Sequence, residues 1–223
     1  MQSVVLTSQR SATIPLAVVA GHQVTLAALC AIVGDDPEIT LLGRAAGAAG
    51  AEPFLDRPDL RVLLVSLRLG AEDRPTTGRS FITEVKGRRP DVGLIALLHG
   101  VDGDMSRAAL DAGADACCLT TTSQHDLLRT IKVLADGPAG EAVDRCNAPS
   151  ASAATIPAGL RLSPRERTIL GLIIDGYSNA EISTRLACAP ATVHTHVLNV
   201  FRKLDVHDRV SAAVAALRLG LIA

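Results

Sequence analysis

Two groups of residues in this chain have the type and spacing to do chemistry. The first is Ser66 in "VLLVSLRLG" (62–70), a lone hydroxyl where an apolar run stops. In an open parallel α/β sheet, ligands and reacting groups gather at the carboxyl ends of the strands, so Ser66 is a candidate nucleophile. It lacks the Gly-x-Ser-x-Gly elbow, which disfavours a serine hydrolase. The second group lies in "ATVHTHVLNVFRKL" (191–204), where Ala191, His194, Thr195, Leu198 and Arg202 share one helical side, flanked by Asn199 and Lys203. Such side chains can hold phosphates and read base edges.

The elements that must position these groups follow from hydrophobic periodicity. Apolar runs at 14–20, 38–43, 61–67, 92–98 and 114–119 read as buried strands. Helical patterns near 23–33, 45–55, 79–88, 102–112 and 123–135 separate them, which predicts a doubly wound α/β domain with a five-stranded parallel sheet over 1–136. The segment "GRAAGAAGAE" (43–52) reads as a small-residue helix, because no Gly-Lys-Ser/Thr follows to make a phosphate loop. Residues 137–160, rich in Pro, Gly, Ala and Ser, read as a linker. An all-α, four-helix unit is expected over 161–223. Ser163–Glu166 and Ser178–Glu181 each have capping-box spacing, Gly176 ends the first helix, and Pro190 heads the third. In that third helix Val193, Val197, Val200, Phe201 and Leu204 form an apolar stripe opposite the polar side. A short helix, a tight turn and a polar-faced helix make a helix-turn-helix. Ala189 offers no capping oxygen to it, a cost of about 1 kcal/mol.

Charge is nearly balanced but uneven. Residues 161–223 hold eight Lys/Arg against five Asp/Glu, while the rest is net acidic, so a polyanion partner is expected at that end alone. Three Phe, one Tyr and no Trp argue against a base-stacking platform for single strands. Five cysteines (30, 117, 118, 146, 188) without C-x-x-C spacing read as free thiols in a reducing cytoplasm. Cys117 and Cys118, adjacent on a strand, point to opposite faces, which predicts one buried and one reachable. No apolar run approaches the roughly 18–20 residues that span a bilayer, and no signal peptide is expected. His196 and His207 read as packing or capping groups, with no metal and no cofactor expected.

The segments "LSPRERTIL", "GYSNAEIS" and "ATVHTHVLNVFRKLDVHDRVSAAV" resemble the DNA-binding domain of the LuxR/NarL/FixJ family of bacterial transcription regulators. The resemblance implies that His194, Thr195 and Leu198 face base edges of double-stranded DNA. It implies that Thr192, Asn199, Arg202 and Lys203, with Ser178 and Asn179, hold phosphates. The last helix, 208–219, is implied to help pair two copies into a homodimer. His194 stands where many relatives carry lysine, so a gentler salt dependence is expected.

The β/α units resemble a response-regulator receiver, with "PEITLLGRAA" similar to its second strand and "LDAGADACCLTT" to the segment carrying its fifth. That resemblance implies the flavodoxin-like strand order 2-1-3-4-5. It also implies a phosphoryl site: two acids for Mg²⁺, a carboxylate acceptor, a hydroxyl and a lysine. Those positions fall on Ala20 and Gly21, Ser66, Leu98 and Thr120, and the usual aromatic switch position on Cys117. None of the five site residues can do its expected job. The expectation is therefore a transcriptional regulator that is not an enzyme and takes no phosphoryl group from a histidine kinase. Alternatives are a site rebuilt from Glu72, Asp73, Asp102 or Asp104, phosphorylation of Ser66 itself, and gating by a ligand, partner protein or cysteine redox state. The chain could also serve chiefly as a protein-interaction scaffold.

Overall fold

The computed structural model describes residues 13–69, 75–98, 103–137 and 160–221. The expected linker, apart from its first and last residues, lies outside them, as do Glu72, Asp73, Asp102 and Cys146.

Five strands, β1 (Ile14–Val19), β2 (Ile39–Ala45), β3 (Val62–Ser66), β4 (Gly93–Leu98) and β5 (Ala116–Leu119), form one parallel sheet in the order β2-β1-β3-β4-β5. β3 and β4 are buried at every position, as continuous apolar runs covered on both faces must be. On one face lie α1 (Gln23–Gly34) and α5 (Gln124–Asp136). The other face packs against α2 (Glu52–Leu55), α3 (Pro75–Arg88) and α4 (Gly103–Asp111). The split places Leu64 and Leu97 in one apolar cluster and Leu63 and Ala96 in the other, the period-two alternation of a strand.

The segment 45–55 departs from the helix its small residues suggest. β2 runs on to Ala45, a 3₁₀ turn spans Ala48–Gly50, and α2 is a single turn with Pro53 near its start. Glycines at 47 and 50 leave the backbone without helix propensity, and Gly47 adopts φ +139. Cys117 and Cys118 do point to opposite faces. Both faces are covered, however, so both thiols are buried, at 8% and 1% exposure.

The remaining helices are α6 (Pro164–Ile174), α7 (Asn179–Arg185), α8 (Pro190–Leu204) and α9 (Arg209–Leu219). Both predicted capping boxes form: Ser163 with Glu166, and Ser178 with Glu181. Asp208 caps α9, and Ala189 gives α8 no side-chain cap. A small core of Ile169, Ile173, Tyr177, Ile182, Val193 and Val197 holds α6, α7 and α8 together. The four helices also share a core with the sheet. Leu26, Leu29 and Ile32 of α1 and Leu127 and Ile131 of α5 belong to the same cluster as Leu170, Val200, Ala213, Ala216 and Leu217. α9 thus lies against α1, and Arg218 on α9 pairs with Asp35 at the end of α1.

Candidate nucleic-acid interface

α8 owes its orientation to its buried stripe. Val193, Val197 and Val200 are buried and Phe201 and Leu204 half-buried, so the opposite side is held outward. Thr192, His194, Thr195, Leu198, Arg202 and Lys203 are all exposed, and Asn199 is half-buried. Leu198 is 51% exposed, one of two large apolar side chains so placed among the described residues. An apolar group in the middle of a polar, solvent-facing helix side suits contact with a thymine methyl.

Within that side the groups are partly tied down. Thr195 Oγ1 donates to the Ala191 carbonyl at 3.0 Å, and Arg202 donates to Asn199 Oδ1 at 3.0 Å. Lys203 is exposed along its stem but held at its tip: its Nζ lies 2.6 Å from Glu166 Oε2 and 3.0 Å from the Arg161 carbonyl. Burial alone would push the Glu166 carboxyl up. Hydrogen bonds from Lys203 and from Ser163 outweigh it and hold the group below its ordinary range. Asn179, at the start of α7, accepts from Arg209 at 2.8 Å, and Arg209 also donates to the Tyr177 carbonyl. Ser178 Oγ is occupied as the α7 cap. Lys203, Asn179 and Ser178, which the resemblance implies hold phosphates, each also have a partner inside the helical unit.

The five positions Ala20, Gly21, Ser66, Leu98 and Thr120 do come together, at the carboxyl edge of the sheet. Ser66 and Leu98 end β3 and β4, Ala20 and Gly21 follow β1, and Thr120 follows β5. Ser66 is 1% exposed, and its Oγ accepts from the Arg68 amide at 3.3 Å. The loop after β3 has closed onto the loop after β1: the Gly21 amide donates to the Arg68 carbonyl at 3.0 Å. A Cβ at Gly21 would stand 2.4 Å from that same carbonyl oxygen. No side chain, and hence no carboxylate, fits at position 21 in this arrangement, and Ala20 supplies only a methyl. The residues present do not fit the Mg²⁺ that the fold implies. Among the described residues no group of three His, Cys, Asp or Glu converges on a metal position.

Something else fills this edge. The turn between α6 and α7 reaches it, and Thr120 Oγ1 donates to Asp175 Oδ1 at 2.7 Å. Thr25 Oγ1 donates to the Ile174 carbonyl at 2.7 Å and Arg68 Nη1 to the Asp175 carbonyl at 3.3 Å. The Arg68 guanidinium lies 4.1 Å from the centre of the Tyr177 ring, with Arg185 at 4.6 Å from the same centre. Gly176 has φ +86, and a Cβ there would meet His22 at 2.4 Å. Sequence reasoning missed His22, Thr25, Arg68, Asp175, Tyr177 and Arg209. One signal was available: Arg68 is a cation inside an otherwise apolar run, and it is 6% exposed.

Comparisons with known proteins agree with this build. Residues 160–216 match the model of the GerE domain, bacterial regulatory proteins of the luxR family. The response regulator protein VraR of Staphylococcus aureus is 29% identical over 213 residues, covering 94% of this chain and 99% of the relative. The RcsB response regulator of Salmonella typhimurium superimposes with a TM-score of 0.51 at 20% identity, over 91% of this chain and 97% of that one. A two-component response regulator RcsB–DNA complex gives 0.51 at 20% identity, over 93% and 98%. At that identity the likeness is one of fold. Residues 160–216 are thus similar to the luxR family of bacterial regulatory proteins, and the chain as a whole shares the fold of the response regulators, a receiver-like sheet domain joined to a helix-turn-helix.

Proposed function

We propose that this protein is a sequence-specific, duplex-DNA-binding transcriptional regulator that acts without phosphorylation at Ser66. The observation that carries the reading is the solvent-facing side of α8, where His194, Thr195 and Leu198 project together from a helix anchored by three buried valines. In this reading those three side chains meet base edges in the major groove. Thr192, Asn199 and Arg202 hold phosphates, and Ser178 and Asn179 bring the start of α7 to the backbone. Lys203 contributes through its pairing with Glu166, which fixes the end of α8 on α6. RcsB, a relative in fold, has been solved on DNA. The protein would bind as a homodimer, with 1–136 as the receiver-like unit, 137–160 as linker and 161–223 as the DNA-binding unit.

The second half of the reading is supported by the sheet edge. A phosphoryl-accepting site needs a carboxylate nucleophile, a cation held by oxygens and a positive charge. Ser66, Ala20, the closed-off Gly21 and Thr120 supply none of these. Selection of bound duplexes from a random pool by the full-length chain tests both halves. Enrichment of a defined site without acetyl phosphate is expected. No enrichment, or enrichment that requires acetyl phosphate and Mg²⁺, would overturn the reading.

A further inference from the structure

The carboxyl edge of the sheet has lost the acids of a receiver but not its preference for negative charge. The last carbonyls of a helix have no partner within it and carry the negative end of its dipole. Here the carbonyls of Ile174 and Asp175, at the C-terminal end of α6, are taken up by Thr25 and Arg68 from the sheet domain. The carboxylate of Asp175 is taken up by Thr120, which occupies the position of a receiver's lysine. Tyr177, 6% exposed, closes the site with its ring against Arg68. Gly176 lets the turn approach His22 more closely than any other residue would allow.

The geometry points to an internal latch: the edge that would bind a phosphoryl group is a docking site for the chain's own Asp175–Gly176–Tyr177 turn. Occupancy of that site sets where the helix-turn-helix sits. While the latch is closed, α9 is covered by α1 and α5, whereas the polar side of α8 remains open to solvent. Opening therefore uncovers α9 rather than the reading helix. The latch rests on contacts within this chain and does not depend on the DNA reading.

The test is deuterium exchange on the full-length chain, comparing wild type with Asp175→Ala and Thr120→Val. Asp175 has helical backbone angles (φ −67, ψ −4) that alanine adopts, and valine is close in shape to threonine. Each variant removes a hydrogen bond to a charged group, so exchange in α1 and α9 is expected to rise by about tenfold. The double variant should add little to either single one, because both break the same bond. Exchange in α3, on the far side of the sheet, and in β4, within the sheet itself, should stay at the wild-type rate. Unchanged rates in α1 and α9 would overturn the latch. So would an equal rise in α3 and β4, which would mark the two residues as general supports of the fold. Binding of the selected duplex, measured in parallel, separates the two proposals: faster α9 exchange in a chain that binds no duplex would leave the latch standing and remove the DNA reading.

Discussion

The side of α8 and the edge of the sheet are both polar, yet they differ in where their polarity goes. On α8, His194, Thr195 and Leu198 face solvent, and the Thr195 hydroxyl bonds within its own helix. At the sheet edge, Thr25, Arg68 and Thr120 are buried and spend their donors on another part of the same chain. Buried polar groups demand partners, and here the partner is internal; exposed ones at regular spacing leave room for an external partner. The contrast separates a surface left open from a site that has been filled.

The largest expected effect lies on the open side. Leu198→Asp would place a carboxylate against the groove and should weaken binding of the selected duplex by about a hundredfold, on the order of 3 kcal/mol. Thermal stability should not change, since the side chain is half exposed; titration by fluorescence anisotropy and a melting curve check the two halves.

The filled site should respond in stability. Gly21→Asp places an acid where the receiver resemblance implies one, but its Cβ meets the Arg68 carbonyl. A loss of about 1–3 kcal/mol is expected, with a melting point lower by several degrees and no recovery in Mg²⁺. An unchanged or higher melting point in Mg²⁺ would show that the edge can reopen.

Lys203→Met distinguishes a residue that braces α8 from one that grips phosphate. It strands Glu166, which is 5% exposed, and should cost about 1–2 kcal/mol, the amount reduced because Lys203 itself is partly in solvent. The sign with pH follows from the lowered carboxyl. Its contribution is full above the ordinary value of 4.5 and is lost as pH falls through the depressed folded-state value. Wild type should therefore lose stability on acidification below that range, and the variant should show a flatter acid limb in urea melts at graded pH. The smallest effect belongs to His194→Lys, which should steepen the slope of log K against log salt by about 0.9.

Much of this was legible in the sequence because periodicity encodes burial. The apolar runs gave the five strands, and paired Ser and Glu three apart marked the starts of α6 and α7 within a residue. The valine stripe fixed which side of α8 faces outward. The docking of the two units was not legible. Asp175, Gly176 and Tyr177 look like any helix-ending turn, and Thr25 and Thr120 carry no periodic signal. Their pairing spans 149 and 55 residues, and nothing local to either partner announces it. The partner of Lys203 was not legible for a related reason: spacing puts this residue on a flank of the outward side of α8, and nothing local announces its pairing with Glu166, 37 residues away.

The most direct measurement is the affinity of the full-length chain carrying Thr195→Ala and Leu198→Ala for its selected duplex and for a scrambled one of equal length. If α8 reads bases, the selected duplex should lose about 1–3 kcal/mol per contact and fall toward the scrambled one, which should be unaffected. Equal affinities before and after the substitutions, or an equal loss on both duplexes, would contradict the placement of α8 in the groove.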